Sequence, residues 1–143
     1  RMNTSHNITS NLPASSFKLV ELYLQESNFR SNPQEGQELE IKLNVNISFS
    51  ETENIINVVL KVILSTERPD IFHLETSMQA KFETQDSPPT IEVGEFSNII
   101  AASIIFPYIR EHVSSLTSKA GIDSITLPTI NFIQLYQQSK GRN

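Results

Sequence analysis

The sequence predicts an α+β domain: a four-stranded antiparallel sheet followed by a long kinked helix and a short C-terminal helix, both on one face of the sheet. Three observations carry this reading. Apolar and polar residues alternate with period two through the middle of the chain, and the period changes to three or four residues after about Glu95. Turn-forming residues separate the alternating runs at Asn32 to Gly36, Glu51 to Asn54 and Arg68 to Asp70. Strands first and helices second place the helices together against one side of the sheet.

The elements follow in order. Residues 1–16 are polar and lack the apolar centre of a signal peptide, so they read as a flexible tail. Residues 17–138 form the domain, and 139–143 form a C-terminal tail. In the first strand, "FKLVELYLQESNF", strict alternation places Phe17, Leu19, Tyr23 and Phe29 on one face and Val20, Leu22 and Leu24 on the other. Apolar residues on both faces exceed what one small core can cover, which points to a subunit contact. In "LEIKLNVNISF", Leu39, Ile41, Leu43, Val45, Ile47 and Phe49 share one face. In "IFHLETSMQAKF", Phe72, Leu74, Thr76, Met78, Ala80 and Phe82 do the same. Between them, "IINVVLKVILS" is apolar on both faces apart from Lys61, the pattern of a central strand. The turn positions suggest a meander, each strand beside the next.

A helix is predicted from about Glu95 to Lys119, with Ile105, Ile109, Val113, Leu116 and Ala120 as its apolar stripe and Gly121 as a C-terminal stop. Pro107 lies inside it, where proline removes a backbone donor and costs roughly 3 kcal/mol unless a kink is used. The next segment, Ile122 to Ile130, is a loop rich in apolar residues. Such a loop must lie over an apolar surface or help form a groove. Asn131 then caps a short helix carrying Phe132, Leu135 and Tyr136.

Composition narrows the function classes. The formal charge is -5, from 11 basic and 16 acidic residues, which disfavours sequence-independent nucleic-acid binding. No apolar run approaches the roughly 20 residues of a membrane-spanning helix, so no membrane insertion is expected. Cysteine is absent, which removes disulfides and thiolate chemistry and makes a cytoplasmic location the default. The histidines His6, His73 and His112 stand in no metal-ligand spacing, Glu111-His112 reads as an ordinary surface pair, and no phosphate loop or nucleophile motif is present. No catalytic residue, metal or cofactor is therefore expected.

The segment "NIIAASIIFPYIREHVSSLTSKAGIDSITLPTINFIQLYQQ" resembles the C-terminal half of the SecB family of export chaperones. The shared pattern is Phe106-Pro107-Tyr108-x-Arg110-Glu111, then Gly121, then Leu127-Pro128-x-x-Asn131-Phe132. The first half agrees more loosely, in Tyr23, Phe29 and Pro33 and in four strands of suitable length. The resemblance implies an ATP-independent holdase without cofactor that binds unfolded polypeptides in apolar grooves and assembles as a homotetramer, a dimer of dimers. It also implies client contacts at Tyr23, Phe72, Phe82 and Tyr136, and a patch facing the SecA motor at Glu26, Arg30, His73 and Glu75. Two positions depart from the family's acidic and apolar patch: Arg30 stands where an acid is expected and His73 where leucine is expected. The last residues, Lys140-Gly141-Arg142-Asn143, also lack the acidic character that the resemblance leads one to expect of the C-terminal tail. The resemblance therefore leaves two readings: export with delivery to SecA, and a dedicated chaperone for one client, such as the antitoxin of a toxin-antitoxin pair. A small-ligand protein would instead show one closed pocket, and an enzyme would show converging titratable groups.

Overall fold

The computed structural model describes residues 11, 15–36, 38–85 and 91–141. Much of the expected N-terminal tail lies outside them. The elements are β1 (Phe17–Ser31), β2 (Lys42–Thr52), β3 (Ile55–Ser65), β4 (Phe72–Thr84), a helical turn α1 (Val93–Glu95), a π-helical segment (Phe96–Ala101), α2 (Ala102–Ser118) and α3 (Phe132–Lys140). The last helix runs two residues past the expected boundary at 138.

All pairings among the described strands are antiparallel, in the order β1-β4-β3-β2. The sheet is thus four-stranded, as its alternation requires, but it is not a meander. The segment after β1 crosses the sheet, so β1 pairs with β4 and β2 becomes the opposite edge. Turn residues mark where a strand ends; which neighbour the next strand joins depends on long-range pairing, and Asn32 to Gly36 opens a crossover instead of a hairpin.

One sheet face is the core. Ile56, Val58, Leu60, Val62 and Leu64 of β3 stand opposite Phe82, Ala80, Met78, Thr76 and Leu74 of β4, and all are buried. Each aliphatic or aromatic side chain in these rows contributes about 1.5–3 kcal/mol relative to exposure. The helical layer covers them with Phe96, Ala101, Ala102, Ile105, Phe106, Ile109 and Val113. On the other side of the helical layer, Ile100 of the π-helical segment and Ile104 and Tyr108 of α2 remain exposed, as does Pro107.

Pro107 sits within α2 on this exposed side, and so does Ser103, whose carbonyl its missing N–H would have met. The steric demand falls towards solvent, where a backbone carbonyl can bond to water. The helical hydrogen-bond pattern is irregular one turn earlier, in the π-helical segment Phe96–Ala101. Gly121 takes a left-handed φ of 74° two residues beyond the C-cap Lys119, so it turns the chain into the loop without capping the helix directly. Asn131 does cap α3, its side-chain oxygen accepting from the Gln134 N–H at 3.0 Å.

Strict alternation fails in β1. The pairing with β4 slips between Leu19 and Glu21 and again between Leu24 and Glu26, placing β-bulges at Val20 and Gln25. Phe17, Leu19, Leu22, Leu24, Ser27 and Phe29 consequently stand beside the core row of β4, whereas Lys18, Glu21, Tyr23, Glu26, Asn28 and Arg30 stand beside its outward row. Tyr23 therefore shares no face with Phe17 and Phe29, contrary to the period-two expectation. An extra residue on one strand resets the alternation, and periodicity alone cannot locate it.

Candidate functional site

At one end of the helix-bearing face lies a cleft of about 720 Å³. One wall is the β1–β2 crossover, with Pro33, Gln34, Leu39 and Ile41; the other is the α2–α3 connection from Gly121 to Ile125; Ile71 and Phe72 form the floor. The floor is pinned by main-chain bonds. Ile71 and Phe72 donate to the Arg68 carbonyl at 2.9 and 3.1 Å, and Asn32 at the end of β1 donates to the Ile71 carbonyl at 2.7 Å. Phe72 meets Phe29 edge-on, with ring centroids 5.9 Å apart.

Thr117 fixes the second wall. Its buried hydroxyl donates to the Val113 carbonyl at 2.8 Å and accepts the Ile125 N–H at 2.9 Å. Ser124 adds a bond to the Ser114 carbonyl at 3.0 Å. Ile122, Ile125, Leu127 and Ile130 pack against the core, so the apolar loop both covers the core and borders the cleft. Asp123 is the one titratable group among the lining residues, and a lone carboxylate offers no acid-base pair. The arrangement can bury apolar side chains of an extended segment against Leu39, Ile41, Ile122 and Ile125, with polar Ser31, Gln34 and Ser124 between them and one charge to desolvate.

The four residues implied as client contacts do not converge within this chain. Phe72 floors the cleft but is only 5% exposed. Phe82 is core, meeting Phe96 edge-on at 5.0 Å while Phe96 stacks on Phe17 at 3.8 Å. Tyr23 is on the outward face of β1, opposite Gln79. Tyr136 lies near Phe49 beneath the start of the helical layer: a Cβ on Gly94 would stand 3.5 Å from Phe49 Cζ and 3.7 Å from Tyr136 Oη. Phe49 is opposite Val58, which is opposite Ala80, so this second aromatic spot is eight β4 residues, roughly 27 Å at about 3.4 Å per residue, from Phe72.

The other implied patch is contiguous. Arg30 is opposite His73, Asn28 opposite Glu75 and Glu26 opposite Ser77, all on the outward face. Glu75 pairs with Lys61 at 2.9 Å, and that hydrogen bond and charge hold the Lys61 ammonium above its usual range. At the adjoining turn Arg68 donates twice to Asp70, at 3.2 and 2.9 Å, and holds its carboxyl below the usual range. Further along, the bulge residue Gln25 accepts from the buried Ser77 hydroxyl at 3.0 Å and donates to Gln79 at 3.1 Å, which in turn donates to Asn57 at 3.3 Å.

Sequence reasoning missed several residues. Leu39 and Ile41 were visible as apolar positions but not as cleft walls, because the crossover was unforeseen. Thr117 carried no motif at all. His112, read as a surface position, is half-buried, with Nε2 2.9 Å from the Ser27 hydroxyl, which is itself 3.1 Å from the Thr76 hydroxyl. The pairing of β1 with β4 brings Ser27 and Thr76 together, and no local pattern signals it.

Comparison with known proteins agrees with this architecture. The chain is 35% identical over 91 residues to the protein-export protein SecB of Azoarcus sp. (strain BH72), a match covering 62% of this chain and 60% of that protein's length. It is 30% identical over 106 residues to the SecB of Dechloromonas aromatica (strain RCB), covering 73% of this chain and 68% of the relative. Among solved structures, the Mycobacterium tuberculosis SecB-like chaperone in complex with a ChAD peptide from an antitoxin superposes with a TM-score of 0.68 at 18% identity, covering 80% of this chain and 91% of that one. The SecB family profile, described as preprotein translocase subunit SecB, matches residues 13–143, and the chain belongs to that family.

Proposed function

We propose that this protein is an ATP-independent chaperone that holds non-native polypeptides, with the cleft between the crossover and the α2–α3 connection as a client-contact region. The observation that carries this reading is an open cleft of mixed lining, in which Leu39, Ile41, Ile122 and Ile125 offer apolar surface and Asp123 is the one carboxylate, in a chain of the SecB family. Burying client side chains there stabilises the complex by roughly 25 cal/mol per Å² of apolar surface, an attraction that tolerates many sequences. The protein acts without enzyme chemistry or cofactor, in the cytoplasm. No helix among the described residues is long and apolar enough to cross a membrane.

In this reading the working form is a homotetramer, a dimer of dimers. The exposed Val20 and Leu24 of β1 and Ile100, Ile104 and Tyr108 of the helical layer offer the apolar surface for it. Assembly brings the cleft and the Phe49–Tyr136 spot of several subunits within reach of one client, so that weak contacts multiply. Phe72 then acts as a cleft floor and Tyr136 as a remote contact, while Phe82 supports both from the core.

Delivery separates two readings. Arg30 and His73 occupy an outward patch that the family resemblance expects to be acidic and apolar, which favours a dedicated chaperone for one client, such as an antitoxin, over general export through SecA. The structural neighbour's antitoxin peptide is in keeping with this.

The test is aggregation of an unfolded model substrate in the absence of nucleotide. The protein should suppress it. Ile41, 41% exposed on the cleft wall, should tolerate aspartate without loss of fold, and Ile41→Asp should weaken suppression several-fold. Phe72→Asp should instead lower the melting temperature sharply, because an unpaired charge at a buried floor costs several kcal/mol. Full suppression by a folded Ile41→Asp protein would remove the cleft from the client path.

A further inference from the structure

At the β1 edge of the sheet, Asn28, Arg30 and His73 of the outward face, with Phe29 and Pro69, line a notch of about 330 Å³. Three carboxylates around it are already engaged, while Glu67 of the neighbouring turn has no ion pair among the described residues. Asp70 is held by two hydrogen bonds from Arg68, Glu75 by Lys61, and Glu26 accepts from the Asn28 amide at 2.8 Å. Arg30 makes no ion pair among the described residues, although its charge reaches Asp70. The pairing sets Arg30 directly opposite His73, and Ser65 follows on β3, so this end row of the outward face carries N–H and O–H donors and no carboxylate. Phe29 and Pro69 border the notch, whose exposed lining is mostly polar.

We propose that the Arg30–His73 notch is a recognition site for an acidic segment of a partner polypeptide, a Glu or Asp carboxylate seating against the Arg30 guanidinium. Guanidinium is the side chain best shaped for a carboxylate, donating through two parallel N–H groups. Of the lysines on the outward face, Lys61 is committed to Glu75, Lys81 stands opposite Glu21 and Asn57, and Lys18 stands opposite Glu83. Lys42, opposite Ser65, ends the same row as Arg30 and His73 on the far edge strand and adds to its positive charge. The site is separate from the client cleft, so the protein can hold an apolar segment in the cleft and an acidic one in the notch.

The experiment uses the full chain and a fluorescein-labelled octaglutamate peptide against the octaglutamine peptide of equal length, read by fluorescence anisotropy at low salt. The glutamate peptide should bind about tenfold more tightly, as charge-assisted hydrogen bonds allow. Arg30→Glu should abolish that preference, while Lys81→Glu, which changes the net charge equally, should leave most of it. Arg30→Gln should give an intermediate loss and supplies the answer if Arg30→Glu does not fold. No preference in the unmodified protein, or equal losses in Arg30→Glu and Lys81→Glu, would overturn the proposal. So would displacement of the peptide by an unfolded client known to occupy the cleft.

Discussion

Thr117 shows how much one buried hydroxyl can govern. Threonine in a helix interior bonds back to the carbonyl four residues earlier, as here to Val113, and is usually neutral at best for the helix. In this chain its oxygen has a second task, receiving the Ile125 N–H from the connection that walls the cleft. Thr117→Val keeps the shape and removes the acceptor, leaving a backbone donor without its partner. The expected loss is about 1–3 kcal/mol of stability by denaturant titration. Amide exchange at Ile125 should accelerate beyond what the global loss explains. Exchange at Ile125 rising only with global unfolding would mean that the loop is held by Ile122 and Leu127 packing alone.

At the level of elements, α2 and β1 both depart from regular geometry, for different reasons. Pro107 and Ser103 face solvent, so the proline's missing bond is lost where water can replace it. Pro107→Ala restores a donor to α2 and should raise subunit stability by up to about 3 kcal/mol in thermal or denaturant melts. If the exposed face of α2 packs between sheets in the assembly, the same change should also weaken association, seen as a smaller mass in light scattering at low concentration. Greater stability with unchanged association would show that the proline serves neither role. In β1 the bulges at Val20 and Gln25 turn Leu22 and Leu24 towards the core row and Tyr23 outward. They also leave this edge irregular, which discourages indiscriminate pairing with other strands.

For the whole molecule, the exposed apolar residues of β1 and of the helical layer exceed what a lone subunit needs. Light scattering on the purified protein should give the mass of a tetramer at micromolar concentration. A stable monomer would overturn the proposed tetramer and the avidity proposed to come with it. On the proposed reading, the outward face governs partner choice in the same assembly. Arg30 and His73 should make SecA binding weak or undetectable by calorimetry, and Arg30→Glu with His73→Leu should strengthen it at low salt, with the gain shrinking as salt screens the charges. Tight binding by the unmodified protein would restore the general export reading.

The sequence by itself determined the strands, the helices and the family. A side-chain period of two or of three to four is a local property, and the runs of β2, β4 and α2 showed which face each buries. The cap at Asn131 and the motif around Pro107 were likewise local and legible. The tertiary structure decided the rest: that β1 joins β4 across the sheet, that bulges reverse the sense of Tyr23, and that Phe72, Phe82 and Tyr136 lie in a cleft floor, a core and a separate aromatic spot. It also decided that Ile41 and Ile125 line one cleft. These depend on which distant segments pair and with what register, a free-energy balance summed over the whole sheet that no window of neighbouring residues contains.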